Sequence, residues 1–130
     1  HVIASLMKLY FRELPEPLLT FAAYSSFVAA GELQDDQETL KKVKETLLSL
    51  PRTNRIVTRH LFEFLMHVTK NASSNKMHAN NLAIVFAPTI LKSSGEASLI
   101  ASSAGSTRVI EVMISYATDI FEDEPLPTDE

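Results

Sequence analysis

Apolar residues return along this chain at helical intervals and no stretch shows a convincing two-residue alternation, so the pattern predicts an all-α bundle of about six helices. Val2, Ile3, Leu6, Met7 and Tyr10 keep the i, i+1, i+4, i+5, i+8 rhythm of one buried face, while His1, Ser5, Lys8 and Arg12 fall on a polar stripe. No capping residue precedes them, so the chain is expected to begin inside a helix of a larger domain. This first helix must stop near Leu14. Pro15 and Pro17 cannot donate the next helical hydrogen bonds, and they push the residues before them toward extended conformations. Leu14 to Leu19 should therefore form a stiff corner, with Leu14, Leu18 and Leu19 inside and Glu13 and Glu16 outside.

Thr20 is placed to cap a second helix through Ala30, with Phe21, Tyr24 and Phe27 or Val28 spaced for burial and Gly31 closing it. Asp35 or Asp36 caps a third helix to about Ser49, whose Leu40, Val43, Leu47 and Leu50 share one stripe and whose lysines share the solvated one. After Pro51, residues 53–69 form the longest helix. Val57, Leu61, Phe64, Leu65 and Val68 give it the clearest periodicity in the sequence, and it is expected at the centre of the bundle. The stretch NASSN from Asn71 to Asn75 has loop composition. From His78 to Phe86 the apolar residues are nearly continuous, which predicts burial on most sides, and Pro88 ends or turns that helix. Lys92 to Arg108 is rich in Ser, Gly and Ala and predicts a mobile connection. Thr107 to Phe121 forms the last helix, and 122–130 is an acidic, proline-interrupted tail.

Composition narrows the function classes. A chain of 130 residues supports one domain with a real core and not two. It has no cysteine, which excludes disulfides and thiolate metal sites and fits a reducing, cytoplasmic setting. No apolar run approaches the roughly 18 residues of a membrane span, and nothing at His1 resembles a secretory leader. Twelve Lys and Arg against 16 Asp and Glu give a formal net charge of −4, so no global field attracts nucleic acid. His60 and His67 share a face two turns apart, an arrangement that is ordinarily polar surface rather than a metal site. No P-loop, GxGxxG or GxSxG is present, and self-contained catalysis is not expected.

One local feature stands out. Lys8 and Arg12 lie four residues apart on one helical face, where like charges cost about 0.2 to 0.5 kcal/mol unless something negative sits opposite. They either meet the negative end of their own helix and Glu13 or Glu16, or dock an acidic or phosphate-bearing partner. Asn81 also has two readings: a buried amide that satisfies backbone groups, or one displayed to a partner. A third possibility for the basic pair, an acidic membrane surface, is weak because only two cations cluster.

The blocks KLYFRELPEPLL (Lys8 to Leu19), LPRTN (Leu50, Pro51 and Asn54), NKM (Asn75 to Met77) and NLAIVFAPTIL (Asn81 to Leu91) resemble, in order and spacing, the Rho GTPase-activating (RhoGAP) domain. The resemblance spans 1–121 and implies an all-helical domain of signal transduction that binds a GTP-loaded Rho-family GTPase at its switch regions. It implies that Lys8, Arg12 and Asn81 contact the GTPase and support the loop of a catalytic arginine, and that Pro17 and Pro88 shape the groove walls. It implies no cofactor for this chain, because GTP and magnesium belong to the partner. Phe64 stands where a histidine often precedes the leucine. The family's arginine finger lies in a loop upstream of the helix that opens this chain, where it follows a glycine and an aromatic in a short GxxR type motif, and nothing here matches that glycine-and-aromatic arrangement. This chain is therefore expected to supply a groove without a finger, to be weak or inactive alone, and to have surface through which copies associate. The alternative is a non-catalytic module that binds the GTPase without activating it.

Overall fold

The computed structural model describes residues 2–75, 77–94 and 104–121, and every regular element among them is helical. In chain order these are α1 (Val2–Arg12), α2 (Tyr24–Glu32), α3 (Asp36–Leu48), α4 (Arg52–Lys70), α5 (Ala72–Asn75), α6 (Ala79–Ile90), α7 (Ala104–Ser115) and α8 (Ala117–Phe121). Asp35 caps α3, its side chain accepting from the Gln37 N–H at 3.1 Å. The single turn α5 occupies part of the expected loop, and the expected last helix divides at Tyr116. Its first part starts at Ala104, inside what reads as a mobile connection in sequence. Lys76, most of that connection and the acidic tail lie outside the described residues.

The helix at the centre is α7 rather than α4. α7 packs against α2, α3, α4, α6 and α8. It buries Gly105, Ser106, Val109, Ile110, Val112, Met113 and Ile114, which cover more than half of its circumference, and carries Thr107, Arg108, Glu111 and Ser115 on the remaining side. The clean periodicity of α4 marks the opposite condition. A helix with Leu61, Phe62, Leu65 and Val68 inside and His60, Glu63, His67 and Lys70 outside is a peripheral one. Leu61 is 1% exposed, and Leu61→Ala is expected to cost about 2 to 5 kcal/mol by leaving a cavity. Urea unfolding reads this directly, and a midpoint unchanged from wild type would mean that the site collapses around the smaller side chain.

Gly31 does not close α2 but lies inside its last turn, where α2 crosses α7. A Cβ there would run into the Gly105 carbonyl oxygen, with the carbonyl carbon at 2.8 Å and Val109 Cβ at 3.0 Å. Only a residue without a side chain lets the two backbones meet. Beside this crossing Arg108 reaches the carboxyl end of α2. Its Nη1 donates to the Gly31 and Leu33 carbonyls at 3.1 and 2.6 Å and to Thr39 Oγ1 at 3.0 Å, and its Nη2 pairs with Asp36 Oδ1 at 2.7 Å. Thr39 in turn donates to the Ala30 carbonyl at 2.9 Å, and the Tyr116 hydroxyl donates to Asp36 Oδ2 at 3.0 Å. That last bond, with the Asp36 charge, holds the Tyr116 phenol above its usual pKa of 10.0. The bond needs the neutral phenol, so its contribution is present at neutral pH and is lost as pH rises through the elevated value.

α1 is turned relative to its sequence pattern. Phe11 is buried and Met7 partly so, whereas Leu6 and Tyr10 are 60% and 63% exposed. α1 packs on α6, and Phe11 rather than the Leu6/Tyr10 row joins the core. Among the described residues no helix is long and apolar enough to cross a membrane.

Candidate functional site

α1 ends where its sequence says it must. The Glu13 N–H still reaches the Leu9 and Tyr10 carbonyls at 3.2 Å and the Leu14 N–H reaches Phe11 at 3.3 Å, after which Pro15 and Pro17 offer no donors. The corner that follows is tied at several points. The Leu19 N–H donates to the carbonyl of Ile90, the last residue of α6, at 3.1 Å. Asn54 in the first turn of α4 donates from Nδ2 to the Leu18 carbonyl at 2.9 Å. Thr20 holds a positive φ of 65°, a costly conformation for a β-branched residue, with its N–H on the Pro17 carbonyl at 2.9 Å. Its hydroxyl oxygen accepts from the Ala23 N–H at 3.2 Å, so it closes a turn ahead of α2 rather than capping the helix itself. Glu16 accepts from the Phe21 N–H at 3.1 Å. Three sequence blocks far apart in the chain, KLYFRELPEPLL, LPRTN and NLAIVFAPTIL, therefore meet at one junction.

That junction fixes α1 beside α6 and with it the candidate residues. Lys8 is half-buried and Arg12 exposed, one turn apart on the same edge of α1. Asn81 is exposed in the first turn of α6, so it is not an amide sequestered to satisfy backbone groups. Pro88 is also exposed, and α6 runs past it to Ile90 instead of stopping. Pro17 is buried in the corner, where it acts through the backbone turn that Thr20 closes. The structure thus brings Lys8 and Arg12 onto one helix and Asn81 and Pro88 onto the helix packed against it.

α6 is buried on most sides, as its apolar run predicts, apart from one narrow edge. Asn80, Asn81, Ile84 and Pro88 are all exposed, and Ile84 is 59% so. The row Asn81, Ile84, Pro88 spans only about 60° of the helix. Sequence reasoning passes over Ile84 because an apolar residue in an apolar run reads as core. Projecting the run onto a helix, with Asn81 and Pro88 on the same side, is the signal that finds it.

A concave feature lies elsewhere. A cavity of about 360 Å³ is lined by Tyr10, Phe11, Leu14, Pro15 and Leu18 of α1 and the corner, with Asn54 and Val57 of α4 among its other walls. Tyr10 lies about 160° around α1 from Lys8, so the cavity and the basic pair occupy opposite edges of one helix. His60 and His67 are both exposed on α4.

Comparison with known proteins settles the family. The RhoGAP domain profile matches residues 1–95. The chain belongs to the RhoGAP domain family. It is 38% identical over 122 residues to Rho GTPase-activating protein 27 of Homo sapiens, covering 93% of this chain and 14% of that protein. It is 48% identical over 94 residues to Rho GTPase-activating protein gacY of Dictyostelium discoideum, covering 71% of this chain and 13% of that one. Among solved structures, the BH domain from GRAF, the GTPase regulator associated with focal adhesion kinase, superposes with a TM-score of 0.81 at 31% identity, over 91% of this chain and 64% of that one. Human Rho GTPase activating protein 15 gives 0.80 at 34% identity, over 88% and 55%. The chain spans a small fraction of the curated relatives it matches, and about half to two thirds of these solved RhoGAP chains.

Proposed function

We propose that this chain is the docking portion of a GTPase-activating domain, binding a GTP-loaded Rho-family GTPase through Lys8, Arg12 and Asn81 without supplying the arginine finger. The observation that carries this reading is the pairing of α1, whose basic edge faces outward at Arg12, with the exposed Asn81 row of α6 in a RhoGAP domain. On this reading residues 1–121 are the RhoGAP portion, 122–130 are an acidic, proline-containing tail or linker, and the chain works in the cytoplasm.

The chemistry of the missing step follows from charge. GTP hydrolysis builds negative charge on the transferring phosphoryl group, and an arginine inserted there in trans accelerates hydrolysis about 10³- to 10⁵-fold. Arg108 is committed to the clasp beside α2, and Arg59 lies 3.4 Å from Glu63 on its own helix. Lys8 and Arg12 are then docking and positioning cations, with GTP and magnesium held by the partner.

Single-turnover GTP hydrolysis by a panel of Rho-family GTPases, with and without this chain, is the test. Stimulation below about 10-fold together with measurable binding is expected, and stimulation of about 10³-fold or more overturns the finger-free reading. Arg12→Ala should weaken binding about 10-fold and flatten its salt dependence while leaving the melting temperature unchanged. If Arg12→Ala instead melts early, Arg12 is a structural residue.

A further inference from the structure

We infer that Asn54 is a positioning residue for GTPase docking: from the first turn of α4 it sets where Arg12, at the end of α1, is held. The inference rests on the GTPase-binding reading above. Asn54 is half-buried, and its Nδ2 donates to the Leu18 carbonyl at 2.9 Å across 36 positions of the chain. The next residue is tied to a different helix, the Leu19 N–H donating to the Ile90 carbonyl of α6 at 3.1 Å. Consecutive residues of the corner are thus gripped from two sides, by an α4 side chain and by the α6 backbone. Removing the amide releases one of the two grips and leaves the carbonyl of a buried residue without that donor.

Packing does not do this work from the α4 side. α1 packs on α6, whereas the cavity of about 360 Å³ is bordered by Tyr10 and Phe11 of α1 and by Asn54 and Val57 of α4. Side chains that line a void lose contacts there and resist movement weakly, so a directional hydrogen bond decides the spacing. The route from that bond to Arg12 is short and stiff. Helical bonding persists as far as the Leu14 N–H, which reaches the Phe11 carbonyl, and prolines fix φ at two of the three residues between Leu14 and Leu18. A displacement at Leu18 therefore reaches Arg12 instead of being absorbed on the way. A guanidinium needs directional bonds to its partner group, and a shift of about 1 Å is enough to spoil them.

The experiment measures binding of the 130-residue chain to a Rho-family GTPase loaded with a non-hydrolysable GTP analogue, at a temperature where every variant is folded. Asn54→Asp keeps the shape of the side chain, removes the donor and sets a carboxylate against the Leu18 carbonyl; it should weaken binding about 10-fold. Asn54→Ala is milder, because water from the adjoining cavity replaces the lost donor, and should weaken binding about 3-fold. In an Arg12→Ala background either substitution should cost less than about 2-fold, since a residue that acts through Arg12 has nothing left to position. Leu61→Ala, which loosens α4 from its core side, should bind within about 2-fold of wild type despite its lower melting temperature. Wild-type affinity in both Asn54 variants overturns the inference and leaves the docking reading in place. So does a full multiplication of the Asn54 and Arg12 losses, which makes the two residues independent. A loss in Leu61→Ala as large as that in Asn54→Asp means that binding follows stability alone, and also overturns it. If wild type binds no Rho-family GTPase, the docking reading fails and the role of Asn54 falls with it.

Discussion

Gly31→Ala is expected to destabilise the fold by about 3 kcal/mol or more, among the largest effects of any single methyl group added to this chain. The added Cβ would meet the Gly105 carbonyl oxygen far inside contact distance, and the atoms behind it, at 2.8 and 3.0 Å, are backbone and the branched Val109 side chain. Neither yields by rotating, so α2 and α7 must separate, loosening the packing of the helix around which the core is built. For a domain of this size, each kcal/mol lowers the melting temperature by about 3 to 5 °C, which predicts a fall of about 10 °C or more. Differential scanning calorimetry reads it, and a fall of under about 2 °C would show that the two helices slide apart at little cost.

Arg108→Ala should be nearly as damaging, at about 2 to 4 kcal/mol, for a different reason. Removing the guanidinium strips donors from the Gly31 and Leu33 carbonyls at the end of α2 and leaves Asp36 without its cation. The Arg108 and Asp36 side chains are 30% and 47% exposed, so water screens part of the pair and keeps the loss below that of a fully buried bridge. Arg108→Lys should recover less than half of the stability, because one ammonium cannot reach two carbonyls, a hydroxyl and a carboxylate from one fixed plane. Urea unfolding of the two variants separates geometry from charge: equal stability for Arg108→Lys and wild type would mean that charge alone holds the junction.

Neither junction is legible in the sequence, and the reason is the distance along the chain. Gly31 carries the local signature of a helix stop, yet its use is set by a helix that begins at Ala104. Asp36 and Arg108 are 72 positions apart, and nothing near either one announces the other. What is encoded locally was recoverable: the Asp35 cap, the proline-enforced end of α1, the inward Leu18 and Leu19, and the outward Glu13 and Glu16. α1 itself takes a different phase from the one its pattern predicts. Val2, Ile3, Leu6, Met7, Leu9, Tyr10 and Phe11 leave too little polar arc to fix its rotation, so its neighbours decide which side is core. Lys8 and Arg12 were visible because like charges one turn apart ask for an explanation, whereas Ile84 was hidden by apolar neighbours that turn the other way.

The ties at the proline corner have a mechanical consequence for the two cations. Leu18 and Leu19 are pinned to α4 and α6, so the corner behaves as a fulcrum and α1 as a lever extending from it. Arg12 sits close to the fulcrum, and Lys8 is about 6 Å farther along the axis. A tilt of about 10° therefore displaces Lys8 by about 1 Å more than Arg12. The rigid, planar guanidinium occupies the steadier position, where its directional bonds keep their geometry. The flexible ammonium occupies the looser one, where a long stem takes up the difference.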